Sequence, residues 1–380
     1  MRILIITTSY PLKNDGSEAA GSFVKDFAYT LGKDHQVAVV YPDLNNNFQP
    51  KQQDEAVIDY PFHVPKLPLS LLSPINLCDW RAIIRTLSSG QNVVDSAVVD
   101  FKPDHILALW ALPSGYWGYQ VSKKYNHAYS TWSLGSDIWS LGKVPVVRSI
   151  LKLVLRNATR CFADGLQLSD DVEKISGREC QFLPSTRKLP VVKKKNFRLE
   201  PPYRLAFLGR WHTNKGIDLL LDALKKLSDA DWKKIEGIKI AGGGPLETLV
   251  TEAIKNLQMK GYPIVQLGFL DVQEATDLYH WADYLLIPSR IESIPVIFSD
   301  AMQSSCPVIA TPVGDLPVLM EKFNVGCLAR DISSTAYKEA LGIALHTSPE
   351  RFSEGIKAAF SKIHMETIVS DFVSQMEAQG

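Results

Sequence analysis

Cysteine is scarce in these 380 residues and never clustered: Cys78, Cys161, Cys180, Cys306 and Cys327 stand apart, with no C-x-x-C. An odd set of scattered thiols argues against a disulfide framework or a zinc ribbon and fits a reducing compartment. Net charge is missing too, since Lys plus Arg and Asp plus Glu both total 41. That balance argues against a general polyanion binder and leaves room only for a local basic face. No apolar run reaches the roughly 18 to 20 residues that a membrane-spanning helix needs. The opening MRILIITTSYP carries a short apolar run, Ile3 to Ile6, too brief for a secretory leader. The histidines show no metal-ligand spacing, and no G-x4-G-K-[ST] phosphate loop occurs. The expectation is a soluble, cytoplasmic protein, long enough for two hydrophobic cores.

What is present is an alternation of short apolar runs with helical periods. RILIITT (2–8) reads as a buried parallel strand, SFVKDFAYTLGK (22–33) as the helix after it, and HQVAVVYP (35–42) as the next strand. Strand, helix, strand within about forty residues is a βαβ unit, which implies a parallel sheet covered by helices. DHILALW (104–110), NHAYSTWSLG (126–135) and ATRCFAD (158–164) continue the rhythm. A second series starts with YRLAFLGR (203–210), GIDLLLDALKKL (216–227), KIAGGG (239–244) and LETLVTEAIKNL (246–257). It goes on through YPIVQLGFL (262–270), ADYLLIPS (282–289), a helix within 293–305 and PVIATP (307–312).

These series predict an α/β protein with domains at 1–185 and 203–362, a linker at 186–202, and a C-terminal helix at 363–380 that packs back on the first domain. The linker lies in PSTRKLPVVKKKNFRLEPP (184–202), rich in Pro and Lys and without a clean period. Residues 48–80 fit the rhythm poorly. PFHVPKLPLSLLSPINL (61–77) carries four prolines among its leucines, which discourages regular helix. Two readings stay open for it: an insertion packed on the first domain, or a lipophilic lip at an acceptor site.

Four charged residues carry the chemistry. A strand ends at Gly209-Arg210, and Lys215-Gly216 opens a helix. Ligands of open α/β sheets bind at strand carboxyl ends, with anions at helix N-termini. A guanidinium and an ammonium there would clamp a diphosphate, the first as a fork and the second as a point charge. In PSRIESIPVIFSDAM (288–302), Glu292 and Asp300 stand eight positions apart. On a helix that spacing leaves them roughly 80° apart around the axis, so both are expected to face one cleft. Carboxylates suit a ligand dense in hydroxyls.

Taken with AGGGP (241–245), LGFL (267–270) and SDAMQSSCPVIATPVGD (299–315), these segments closely resemble retaining glycosyltransferase family 4. The resemblance covers nearly the whole second domain and is looser in the first, at Tyr10-Pro11, Gly21-Ser22 and GSDIW (135–139). It implies a GT-B fold, two Rossmann-like doubly wound domains facing across a cleft. It also implies transfer of a sugar, with retention, from a nucleotide-diphosphate donor (UDP-sugar first, GDP-sugar second) to a hydroxyl acceptor in cell-envelope or surface polysaccharide synthesis. By carry-over, Arg210 and Lys215 bind the leaving diphosphate, Glu292 contacts the donor sugar and Asp300 the ribose. Gly21, Gly209, Gly243 and Gly244 lie beside the donor. Ser22, expected to cap its helix, and Asp137 are acceptor-side candidates. The co-substrate is a nucleotide sugar, with no metal required and no nucleic acid as partner.

Three positions depart from the family pattern. Asp300 replaces the usual Glu, Pro295 removes an amide donor after Glu292, and Leu134 stands where a His is common. They favour one rival reading, a catalytically degenerate GT-B scaffold or regulatory module; the other rival is a different GT-B activity, such as an inverting transferase or a nucleotide-sugar epimerase. AGGGPLE (241–247) is either a tight strand-to-helix turn or part of the nucleotide site. VPVVRSILKLVLRNATR (144–160) repeats Arg148, Lys152, Arg156 and Arg160 every four residues. That stripe is either a solvated cleft-rim face or a peripheral contact with anionic membrane at its inner surface, next to a glycan or lipid-linked acceptor.

Overall fold

A computed structural model describes residues 1–11, 21–45, 51–54 (backbone alone), 57–67, 69, 72–73, 76–190 and 195–377. The chain divides into two compact units, Met1–Arg187 with Ile368–Gly380, and Lys188–Thr367.

Unit 1 begins with β1 (Arg2–Ile6), α1 (Ser22–Leu31), β2 (Gln36–Asp43), β3 (Lys51–Asp54), β4 (Val57–His63) and α2 (Trp80–Phe101). It continues through β5 (His105–Leu109), α3 (Ser114–Tyr125), β6 (Tyr129–Ser133), α4 (Ser136–Trp139), α5 (Pro145–Asn157), β7 (Arg160–Ala163), α6 (Leu166–Ser176) and β8 (Cys180–Phe182). Among the described residues these strands form one sheet in the order β3-β4-β2-β1-β5-β6-β7-β8. Only the β3–β4 pairing is antiparallel. Ile3 to Ile6 are fully buried, because a parallel strand covered on both faces has no solvent side to which a polar residue could point.

Several elements of unit 1 escape the sequence rhythm, β4 and α2 among them. β4 holds Asp59 and Pro61 yet pairs with β2 along its length, and α2 carries the weak helix formers Ser88, Ser89 and Gly90 at its centre. Gly90 is needed there, since an added Cβ would stand 2.4 Å from the Trp117 indole. Of the proline-rich stretch, Leu67 and Leu69 pack on the unit 1 core, while residues 68, 70, 71, 74 and 75 lie outside the described residues. The basic stripe is shorter than expected. α5 ends at Asn157, Ala158 is extended, and Arg160 opens β7 with Nη1 3.5 Å from Gln375 Oε1. From Ile368 the last helix of the chain (365–377) counts with unit 1, where Phe372 packs edge-on against Phe27, 5.5 Å between ring centres.

Unit 2 runs β9 (Tyr203–Leu208), α7 (Ile217–Lys225), α8 (Asp229–Trp232), β10 (Ile235–Ala241), α9 (Glu247–Met259), β11 (Ile264–Gln266), α10 (Val272–Trp281) and β12 (Tyr284–Ile287). It closes with α11 (Val296–Gln303), β13 (Val308–Ala310), α12 (Leu316–Phe323), β14 (Gly326–Leu328), α13 (Ser334–Ala344), α14 (Ser353–Ile363) and the start of α15 (Met365–Glu377). The sheet is parallel, in the order β11-β10-β9-β12-β13-β14. α11 starts only at Val296, with Pro295 as its N-cap, a position that tolerates the missing N–H. The stretch read as a linker is attached to this unit: Leu189 joins its core and Lys195 Nζ donates to the Tyr279 carbonyl at 3.1 Å. Residues 191–194 lie outside the described residues.

Candidate active site

β9 and β12 are neighbours, with Leu205 opposite Tyr284 and Ala206 opposite Leu285. Being parallel, they end at the same edge of the sheet. After β9 the chain passes Gly209, Arg210 and Trp211 and enters a 3₁₀ turn, Thr213–Lys215. His212 caps that turn, its Nδ1 accepting from the Asn214 N–H at 3.2 Å. Gly216 follows with φ +67°, and a Cβ there would sit 1.8 Å from the Pro288 carbonyl oxygen. Both the left-handed backbone and the close approach demand glycine. The turn therefore lies flat on the end of β12.

That closure brings two sequence-predicted residues together. Lys215 Nζ forms an ion pair with Glu292 Oε1, with side chains 37% and 13% exposed. Ser289 Oγ donates to the same carboxylate oxygen at 3.1 Å. Arg210 is exposed, and its guanidinium has no hydrogen bond or ion pair among the described residues. The site thus offers one open cation and one held by a carboxylate.

The supports of this pair carry no motif of their own. Arg290 clasps Asp218 with both ends of its fork, at 2.7 and 2.8 Å, and donates to the Thr213 carbonyl at 2.7 Å. It ties the Lys215 turn and the start of α7 to the Glu292 loop. Burial raises the Asp218 carboxyl, but the Arg290 guanidinium outweighs it and holds the group below the ordinary carboxylate range. From below, the Asp315 N–H donates to the Ser293 carbonyl at 3.2 Å. A charge pattern could have suggested Arg290, but only the fold shows what it grips.

Asp300 is a correction. It was expected to share a cleft-facing side of the helix with Glu292. Instead it is 0% exposed and accepts from Tyr279 Oη at 2.9 Å. Because α11 starts at Val296, Glu292 belongs to the preceding loop, and the helical angle between the two carboxylates does not apply. As the chain stands here, Asp300 offers no accessible oxygen to a ribose.

The glycine loop is woven onto the same edge. The Gly243 carbonyl accepts from the Trp211 N–H at 2.8 Å, and Gly209 donates to the Ala241 carbonyl at 3.2 Å. Gly244 lies against the Trp211 backbone, where a Cβ would come within 2.8 Å of its oxygen. Gly209, Gly243 and Gly244 therefore stand together, beside Arg210. Phe269, 81% exposed, stands over Gly243.

In unit 1, Gly21 is the N-cap of α1 with φ +77° and no side-chain capping bond. Ser22 is the first helical residue and not the cap, which corrects that expectation. A Cβ on Gly21 would stand 2.5 Å from the Ser9 carbonyl oxygen, so α1 starts against the loop after β1. Asp137 is fully buried. Its Oδ2 accepts from the Ala111 N–H at 2.6 Å, and its Oδ1 from the N–H groups of Leu134 at 3.3 Å and Ile138 at 3.2 Å. It ties the end of β5 to the end of β6 and exposes no oxygen to an acceptor.

Two helix-flanked parallel sheets in successive units make the class of protein clear: the chain has the GT-B fold. Residues 202–346, within unit 2, match the family described as glycosyl transferases group 1. A D-inositol 3-phosphate glycosyltransferase of Corynebacterium aurimucosum is 29% identical over 182 residues, covering 45% of this chain and 43% of that protein. The chain therefore aligns with less than half the length of that relative. The Anabaena protein HepE, solved in complex with UDP-glucose, superposes over 100% of both chains with a TM-score of 0.70 at 16% identity. A lipopolysaccharide outer core galactosyltransferase does so over 100% of both at 0.66 and 14%. At such identities the two superpositions are a likeness of fold.

Two predictions follow from the geometry. Burial pushes the Asp137 carboxyl up to about 6 from its ordinary 3.8, against the opposing pull of its backbone N–H donors. The folded chain then holds this proton more tightly than the unfolded one. The associated stability is present below pH ~4 and is lost as pH rises through about 6, on the order of 3 kcal/mol in all. Denaturant melts of wild type and Asp137→Asn between pH 4 and 7 should diverge by that amount, and parallel pH profiles would refute it. Arg290→Lys cannot form the fork, and should speed amide exchange across Thr213–Gly216 about tenfold, or about 1.4 kcal/mol, with the melting temperature nearly kept.

Proposed function

We propose that the chain is a retaining glycosyltransferase that takes its sugar from a nucleotide-diphosphate donor, with UDP-sugar favoured and GDP-sugar second. The observation that carries the reading is the Lys215–Glu292 pair beside the open Arg210 at one sheet edge. A bound diphosphate competes for Lys215, because two phosphate charges outbid one carboxylate. Glu292 is then released to accept hydrogen bonds from the sugar hydroxyls. Arg210 and Lys215 neutralise the charge that grows on the leaving oxygen as the anomeric C–O bond breaks, so no metal is needed.

The acceptor hydroxyl forms the new bond from the same face of the sugar, and its proton passes to the leaving phosphate. Gly21, Gly209, Gly243 and Gly244 let backbone approach the donor, while Ser22 serves the acceptor side. Support for UDP comes from the HepE complex with UDP-glucose. Support for an envelope glycan acceptor comes from the superposition on a lipopolysaccharide galactosyltransferase.

No helix of the described residues is long and apolar enough to cross a membrane. The reading instead places the chain at the inner membrane face through α5. This helix buries Leu151, Val154 and Leu155 and exposes Val146, Ile150 and Leu153 beside exposed Arg148, Lys152 and Arg156. An exposed arc that is part apolar and part cationic suits an anionic bilayer surface.

The buried Asp300 favours one other reading, a GT-B scaffold that has lost catalysis, and a single set of measurements separates the two. Glu292→Gln should lower turnover at least a hundredfold while keeping UDP affinity within about threefold, whereas Arg210→Ala should impair both by about 2–4 kcal/mol. A folded wild type that binds no nucleoside diphosphate would decide for the scaffold. For the membrane contact, cosedimentation with anionic vesicles at low salt should fall at least tenfold in a Lys152→Glu, Arg156→Glu double variant, each basic residue contributing about 1 kcal/mol. Equal sedimentation with zwitterionic vesicles would count against it.

A further inference from the structure

Unit 1 contains a pocket of about 630 Å³, within the range of small-molecule sites. It opens at the carboxyl edge of the unit 1 sheet, where Ser9 follows β1, Trp110 follows β5 and Ser136 opens α4. In open α/β sheets this edge is where ligands enter. The Gly21 end of α1 lies against Ser9, so the pocket adjoins the segment assigned above to the acceptor.

Its chemistry is unlike that of a sugar site. Ile83, Leu87, Leu112, Val147 and Ile150 supply apolar wall, and among the described residues no charged side chain lines it. Hydroxyl residues Thr8, Ser9, Tyr116 and Ser136 line part of it, but with no charged or amide side chain among the described residues of the wall a soluble oligosaccharide would still lose much of its hydration. A hydrocarbon chain loses nothing. Trp110 completes the wall from a left-handed backbone, φ +65°, an outlier for so bulky a residue. Such strain persists where surrounding structure holds a side chain to a task.

Two further observations select the ligand. Thr86 is 4% exposed and lines the pocket, and its hydroxyl has no hydrogen-bond partner. That oxygen is itself enclosed, so the polar atoms a mostly apolar ligand can meet come from the other hydroxyl residues of the wall, Thr8, Ser9, Tyr116 and Ser136. Meanwhile α5 gives Val147 and Ile150 to the pocket and exposes Arg148, Lys152 and Arg156 outside it. The same helix therefore joins an apolar interior to a cationic exterior.

We infer that this pocket binds the hydrocarbon chain of an amphiphilic acceptor whose head carries phosphate. The inference rests on the acceptor role proposed for unit 1 and adds the acceptor's class. The chain lies against Trp110 and Ile83, and the anionic head stays outside, toward Arg148, whose Nη1 donates to the Gly142 carbonyl at 3.4 Å beside the lining residue Leu141. The transferred sugar then joins a molecule held by its lipid part, so acceptors that differ in glycan but share a chain are all retained.

The test is calorimetric titration of the full chain with n-alkyl phosphates of increasing length, each below its micelle concentration. Affinity should rise about fourfold per added methylene and level off once the pocket is full. Ile83→Trp fills the pocket from α2 and should abolish the dependence on length, and Leu87→Trp serves if the first variant melts early. Affinity that ignores chain length, or that keeps its slope in a folded variant, overturns the inference. UDP titrated into the same samples separates the two readings. Binding of UDP without any chain-length slope removes the pocket alone, and a slope without UDP binding upholds the pocket and removes the nucleotide-sugar donor.

Discussion

No side chain fits between Gly216 and the Pro288 carbonyl, and the arrangement of unit 2 hangs on that contact. It presses the turn after β9 onto the end of β12. Parallel pairing has already set those two strand ends at one edge, and the glycine turns adjacency into touch. Lys215 is then set within reach of Glu292, and α7 starts where Arg290 can clasp Asp218. The Lys215–Glu292 pair is only partly buried, so it adds little to stability. It is also exchangeable, since part of the Lys215 side chain remains open to water.

Unit 1 uses a carboxylate in the opposite way. Asp137 is sealed off and spends its oxygens on the N–H groups of Ala111, Leu134 and Ile138. Satisfying those donors lets the loops after β5 and β6 run close together without water. What remains open at that edge is hydroxyl and hydrocarbon. The two units share a helix-flanked sheet design, yet at the carboxyl edge of its sheet one presents charge and the other an apolar recess.

The parts legible in the sequence are those written locally. Ile3 to Ile6, Val37 to Val40 and Leu285 to Ile287 are continuous apolar runs because each strand is covered on both faces, and their order along the chain already implies the parallel sheets. β4 stayed hidden since Asp59 and Pro61 interrupt its run, and α2 since its centre is polar and holds a glycine that only Trp117 explains. The basic stripe of α5 was overextended for a related reason. A four-residue spacing continues through Arg160, but the backbone leaves the helix at Ala158.

The site divides along the same line. The sequence by itself determined where Arg210 and Lys215 stand relative to a strand end and a helix start, because those boundaries follow from short-range periodicity and glycine. Only the tertiary structure decided what each carboxylate meets: Glu292 takes Lys215, 77 residues away, Asp300 takes Tyr279, 21 away, and Asp137 takes Ala111, 26 away. Partners so far apart leave no periodic trace. They are set by which strands lie side by side, and by whether the chain leaves a carboxylate in water or encloses it among donors.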